Sequence, residues 1–354
     1  MVWKTVSDTR ALSAGPGVSG PRVPPPRLEV ENLSVAFRLA DGAEALAVER
    51  VSFRVDGGET LALVGESGCG KSVTCLALMR LLPVPPARLA GGTVRLSGRE
   101  LTGVSEPEMR AVRGAAISMI FQEPMTSFDP VYRIGDQLAE AVLAHNGDAS
   151  PDETAGKIES ALAAVGLPDP AGIARRYPHE LSGGMKQRAM IAMALLGDPE
   201  VLLCDEPTTA LDVTIQAQIV ELLNRLQEER GMSMLFITHN LGLVAELARR
   251  AAVMYAGQIV ETAAVADLFE RPLHPYTAGL LAGIPRLDRR VERLAAIPGN
   301  VPGLREYPPG CKFAPRCPAA REICRESAPP LADRGGGRHS ACHFAETAAE
   351  AAWA

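Results

Sequence analysis

The chain has 354 residues, of which 47% are hydrophobic, 22% charged and 4% aromatic, with a formal net charge of −6. That balance fits two or three folded domains and excludes wholesale disorder; no run nears the roughly 18–20 consecutive apolar residues that span a bilayer, and the first thirty residues lack the apolar core of an export signal. An acidic total, scattered arginines and few aromatics argue against a dedicated nucleic-acid binder.

In chain order, residues 1–26 end in the proline-rich Pro21–Pro26 and read as a flexible extension. Leu28–Phe37 alternates apolar and polar residues as a strand does, Asp41-Gly42 makes a turn, and a second strand pattern surrounds Val51–Val55. After Asp56-Gly57-Gly58 the short apolar run Leu61–Val64 fits a buried strand, and the spacing predicts a helix from Lys71 to Leu82, closed by Pro83. Residues from about 125 to 196 are mostly helix-patterned, with loops at Gly147–Pro151 and Pro168–Pro170. Val201–Cys204 and Met234–Ile237 add two buried-strand runs. Strands alternating with helices, over connections too long for hairpins, predict an α/β fold with a largely parallel sheet. Beyond about Leu273, proline, glycine and cysteine become frequent and periodicity fades, which predicts a small irregular C-terminal module.

Three motifs carry chemistry. Gly65-Glu66-Ser67-Gly68-Cys69-Gly70-Lys71-Ser72 fits GxxxxGK[ST] between a buried strand and a helix. Its glycines let backbone N–H groups converge on phosphate oxygens, Lys71 reaches the β/γ-phosphates and Ser72 offers its hydroxyl to Mg²⁺. Val201–Glu206 delivers two acids at a strand's C-terminal end, Asp205 to hold Mg²⁺ and Glu206 to orient and polarise an attacking water. Leu181-Ser182-Gly183-Gly184-Met185 opens a strong helix from Lys186 to Leu196, so Ser182 is either a plain N-cap or part of a second anion site, for a nucleotide held by a partner.

With these motifs in order, residues 28–345 resemble the ATP-binding subunit of ABC transporters. Gly65–Ser72 matches its Walker A motif, Gln122 its Q-loop and Leu181–Met185 its signature. Asp205 and Glu206 match Walker B and the catalytic glutamate, Asp212 the D-loop and His239 the switch histidine. The resemblance implies a P-loop NTPase core over residues 27–272, with an antiparallel β subdomain and a helical subdomain at about 125–196. It also implies ATP as substrate, Mg²⁺ held by Ser72, Gln122 and Asp205, and catalysis by Glu206, His239 and Gln122. Two such domains would close head to tail, with Ser182, Gly183, Gly184 and Asp212 reaching the partner's nucleotide. Phe37 is the candidate to stack on adenine; a plain core phenylalanine is the other reading.

Gln122–Pro130, His274-Pro275-Tyr276-Thr277 and Ile297–Pro302 are similar to the oligopeptide/dipeptide importer branch, and Met185 to the first of its two non-identical ATPases. The implied partners are a second ATPase in a heterodimer, two permeases and an extracytoplasmic solute-binding protein, with this chain peripheral on the cytoplasmic face and no nucleic acid bound. Nickel or another small solute is the alternative cargo. A soluble iron–sulfur ABC ATPase acting on nucleic acid or ribosomes is a further alternative, disfavoured by the single phosphate loop and signature. Cys311, Cys317, Cys324 and Cys342 lie within the module at 273–345, ahead of a tail at 346–354. Their spacing suits Zn²⁺ or an iron–sulfur cluster, with His339 and His343 as substitute ligands, or else free or oxidised cysteines. The importer branch shares this tail, and the resemblance implies a [4Fe–4S] cluster on the four cysteines.

Overall fold

The computed structural model describes residues 26–122, 127–209, 211–284, 296–345 and 347. Residues 1–25 of the expected N-terminal extension, residues 123–126 of the Q-loop segment, Ala210 of the Ala210-Leu211-Asp212 D-loop and most of the tail lie outside the described residues, while Pro26 already belongs to the first strand.

The two opening strands, β1 (Pro26–Arg38) and β2 (Glu44–Asp56), pair antiparallel with Val30 opposite Phe53 and Phe37 opposite Ala45. Leu28 and Val30 are buried in period-2 alternation, and an irregularity between Val30 and Leu33, where Asn32 takes φ 51°, resets the register so that Leu33 and Val35 are buried too. After β3 (Thr60–Val64) comes helix α1 (Lys71–Leu78), shorter than the spacing predicts. The cause is a C-terminal lock: Arg80 N–H bonds Ala77 O, Leu81 N–H bonds Leu76 O, and Arg80 takes a positive φ of 51° where glycine usually stands. Strands β4 (Ala87–Leu96) and β5 (Arg99–Glu100) complete a four-stranded sheet ordered β2-β1-β4-β5. The alternation of β4 is broken by Gly91-Gly92, which hid it in the sequence. At Gly92, with φ +94°, a Cβ would run into the Asn32–Leu33 peptide of β1.

Helix α2 (Glu106–Val112) and strand β6 (Ile117–Ile120) lead into the helical region: α3 (Ile134–Leu143), α4 (Pro151–Ala164), α5 (Pro170–Ala174) and α6 (Gly183–Leu195). Helix α6 starts three residues before Lys186, so the paired glycines occupy its first turn. Strand β7 (Val201–Asp205), helix α7 (Val213–Arg230), strand β8 (Ser233–Thr238) and helix α8 (Leu241–Leu247) follow. Next come β9 (Arg250–Tyr255), β10 (Gln258–Ala264), α9 (Val265–Glu270) and α10 (Pro275–Ala282). A single turn, α11 (Glu322–Glu326), and two short strands, β11 (Ala332–Asp333) and β12 (His339–Ser340), close the described chain.

The second sheet runs β11-β12-β10-β9-β3-β8-β7-β6, and its five strands from β9 to β6 are parallel. Every residue of β3, β7 and β8 is buried, as expected of strands covered on both faces. One core joins the helical region to β7, β8 and α7; another joins the antiparallel sheet to α1; a third binds β9 and β10 to Tyr276 and Phe313. The cysteine-bearing segment is thus attached to the main sheet: β12 pairs with β10, Glu261 opposite Ser340.

Candidate functional site

The C-terminal ends of β3, β7 and β8 meet at one cleft, where ligands sit in open α/β sheets. The phosphate loop leaves β3 through a constriction, because a Cβ on Gly65 would strike the Met254 carbonyl oxygen of β9. Lys71, only 4% exposed, donates from Nζ to Gly65 O at 2.8 Å and Glu66 O at 3.0 Å. Its ammonium also stands 3.6 Å from Glu206 Oε1. Ser72 Oγ donates to Asp205 Oδ1 at 3.0 Å. Burial raises the Asp205 carboxyl above its ordinary value, the Ser72 hydrogen bond opposes this, and neighbouring Glu206 adds to it.

Glu206 is where the motifs converge. Its Oε2 accepts from Gln122 Nε2 at 3.3 Å and Thr209 Oγ1 at 3.0 Å, and lies 3.2 Å from His239 Nδ1. The His239 hydrogen bond leads in lowering its carboxyl to about 2; burial opposes, while Thr209 and Lys71 assist. The same bond raises His239. Glu206 also holds φ at +46°, a left-handed backbone that costs a non-glycine residue about 1–2 kcal/mol. Its N–H bonds Ile237 O of β8, so strand pairing maintains the strained backbone.

The cleft has a volume of ≈ 490 Å³ and is lined by Phe37, Ala47, Ser67, Gly68, the run from Gly70 to Val73, Gln122, Glu206 and Leu304, while Cys69 turns into the core. Phe37 faces this space and packs against the antiparallel-sheet core. Leu304 was missed: it lies in an irregular proline-rich stretch, and no local pattern marks it as a neighbour of the phosphate loop.

Ser182 and Asp212 stand away from this cleft. Ser182 accepts from Met185 N–H at 3.3 Å and Asp212 from Ile215 N–H at 3.0 Å, so each is an N-cap within its own chain. The two helix starts are neighbours, since a Cβ on Gly184 would reach the Ile215 side chain. Val213 beside them is 81% exposed.

The four C-terminal cysteines are unpaired and line one small pocket with His274, Phe313, His343 and Phe344. Burial chiefly, and the neighbouring thiols in addition, push Cys311 and Cys317 up to about 11. His339 lies apart, beside Thr262 at 3.2 Å. The pocket offers ≈ 20 Å³, room for about one water molecule. Among the described residues no group of three or more His, Cys, Asp or Glu side chains is placed to hold a metal ion. The four free thiols between aromatic walls are donors of the kind an iron–sulfur centre takes, but as placed they do not form a metal-holding group. No helix among the described residues is long and apolar enough to cross a membrane.

Comparison with known proteins agrees with this geometry. The ABC transporter family model matches residues 48–209, and the model for the oligopeptide/dipeptide transporter C-terminal region matches residues 260–324. A Brucella abortus protein named for peptide import ATP binding is 51% identical over 328 residues, covering 90% of this chain and 96% of the relative. A Sinorhizobium fredii protein named as a peptide ABC transporter ATP-binding protein is 52% identical over 316 residues, covering 89% and 94%. In fold, the chain is similar to a bacterial ABC transporter cassette solved as a dimer, with TM-score 0.60 and 23% identity over 67% of this chain and 98% of that one. It is also similar to cbiO1 of Clostridium perfringens, with TM-score 0.59 and 24% identity over 70% and 91%. With half its residues shared with such relatives over nearly its whole length, the chain belongs to the ABC transporter family of ATP-binding proteins and is an ATPase.

Proposed function

We propose that the chain is the ATP-hydrolysing motor of a peptide importer, working as one of two cassettes that close head to tail on a pair of permeases. The observation that carries the motor chemistry is the convergence of Lys71, Gln122, Thr209 and His239 on Glu206, beside the Ser72–Asp205 pair. The peptide cargo is supported by the names of the relatives and by the C-terminal region match.

The side chains divide the work. Ser72, Asp205 and Gln122 would hold Mg²⁺, which when bound would supply charge neutralisation for phosphoryl transfer. Lys71 leaves the Gly65 and Glu66 carbonyls for those phosphates, and its withdrawal from Glu206 removes one of the cations that depress that carboxylate. Glu206 then accepts a hydrogen bond from the attacking water and orients it in line, while His239 and Gln122 fix the carboxylate. Phe37 stacks on the adenine, with Leu304 closing the same cleft. Ser182, Gly183, Gly184 and Asp212 meet the nucleotide of the opposing cassette, and the exposed Val213 belongs to that face. The opposing cassette is a similar but non-identical chain, and a solute-binding protein outside the membrane delivers the peptide. Cys311, Cys317, Cys324 and Cys342 would hold a [4Fe–4S] cluster whose role would be structural or regulatory, since phosphoryl transfer has no redox step.

The test is a gentle detergent pull-down from native membranes with mass spectrometry. Two polytopic permeases, a second signature-bearing ATPase and a peptide-loaded binding protein are the expected catch. Recovery of a binding protein loaded with nickel would replace the cargo; recovery of nucleic-acid machinery alone would overturn transport.

A further inference from the structure

Glu66, the second residue of the phosphate loop, is held at three points. Its N–H donates to Tyr276 Oη at 2.8 Å. Its carboxylate takes a bidentate pair from Arg316, Nη1 to Oε2 at 2.7 Å and Nη2 to Oε1 at 2.9 Å. Its carbonyl receives Lys71 Nζ at 3.0 Å. Two of these holds come from the C-terminal segment, and the third is the lysine that must reach the phosphates.

Both outside partners are fixed. Tyr276 is fully buried, its ring 4.7 Å from that of Tyr255 and 5.3 Å from that of Phe313. Arg316 is 7% exposed and also donates to Pro298 O at 2.8 Å and Gly299 O at 3.1 Å, so its planar fork arrives at Glu66 already oriented. Both also adjoin the thiol pocket. Arg316 directly precedes Cys317, and Tyr276 N–H donates at 3.0 Å to Nδ1 of His274, whose ring lines that pocket beside Phe313. The His-Pro-Tyr-Thr motif thus has a physical job: its histidine faces the thiols while its tyrosine holds the phosphate loop.

We propose that Tyr276 and Arg316 are positioning residues of the nucleotide site, setting the Glu66 peptide and through it Lys71, so that ATP affinity depends on the C-terminal segment. The inference rests on the phosphate loop being the ATP site. A loop preset in this way spends less of its binding energy on ordering when phosphates arrive; released, it would first have to be ordered.

The experiment titrates the full-length chain with a fluorescent N-methylanthraniloyl ATP, comparing wild type, Tyr276→Phe and Arg316→Lys, with thermal midpoints measured alongside. Tyr276→Phe deletes one oxygen and keeps the packed ring; Arg316→Lys keeps the charge and loses the fork. Each should weaken binding by roughly threefold to tenfold, the loss of one to two hydrogen bonds, and steady-state assays should place the loss on KM. A purely architectural role would lower the midpoint and leave affinity within twofold of wild type, which overturns the proposal. Should Arg316→Lys fail to fold, Tyr276→Phe decides alone. A wild-type chain that does not bind the analogue would overturn the nucleotide reading itself, an outcome distinct from tight binding by all three proteins.

Discussion

The phosphate cleft and the thiol pocket are both built where the main sheet ends, yet they are opposites in construction. The cleft is open, and its principal groups lie at or beyond strand ends: Lys71 at the start of α1, past the loop that leaves β3, Asp205 and Glu206 at the end of β7, His239 after β8. The pocket is small and aromatic-walled, and its thiols sit on irregular loops and one short helical turn. Parallel strands fix the first set to within a hydrogen bond, with β7 and β8 in register from Val201 opposite Ser233 to Asp205 opposite Ile237. The second set sits mostly outside the strands, on loops and short helical turns, where backbone pairing constrains side chains less.

The largest effect that would break this comparison belongs to Glu206. Glu206→Gln keeps the shape and the Thr209 contact but removes the charge that Lys71 and His239 face, and hydrolysis should fall by roughly a hundredfold or more. ATP binding should persist, because the glutamine touches none of the loop N–H groups. Rapid-quench hydrolysis and nucleotide titration on one preparation separate the two. Retained hydrolysis would remove Glu206 from the chemistry, whatever its setting at the end of β7.

That same contrast explains what could be read from the sequence. Gly65–Ser72 and Asp205-Glu206 were legible as short contiguous patterns after apolar runs, whereas Ser182 carried two readings and His239, a lone histidine, was marked by the family resemblance alone. The strands beneath them were legible as apolar runs. Strand β4 was not, since Gly91-Gly92 interrupts its period to let β1 pass closely. The end of α1 was overshot because an arginine, not a glycine, takes its left-handed stop. Leu304 and the Arg316–Glu66 pair were invisible for a different reason: 250 residues of chain separate the partners of that pair, and only the folded sheet brings them together.

The middle-sized prediction tests the thiol side. Cys317→Ser removes one donor next to Arg316. If the pocket is organised by an iron–sulfur centre, iron content and protease resistance of the C-terminal segment should fall together. A variant that keeps both would make the four thiols ordinary buried cysteines, and the contrast between the two sites would lose one side.

The smallest effect lies in the pH dependence of the unliganded cleft. The Glu206 hydrogen bond raises His239 above its ordinary value of 6.5, so the pair's contribution is complete below that value and fades as pH climbs through the folded one. At the acid end Glu206 is lowered from 4.5 to about 2, so the contribution is present above 4.5 and is lost as pH falls towards 2. The pair therefore stabilises most between about 4.5 and 6.5. His239 is 55% exposed at its side chain, and solvent screening holds the gain below about 1 kcal/mol. Urea unfolding of wild type and His239→Gln should consequently differ more at pH 6 than at pH 9. Equal differences at both would mean that the imidazole is uncharged in the resting cleft, leaving Lys71 as the cation that holds Glu206. In that case the release of Lys71 to the phosphates would free the carboxylate by itself, and the strand-built site would switch on a single contact.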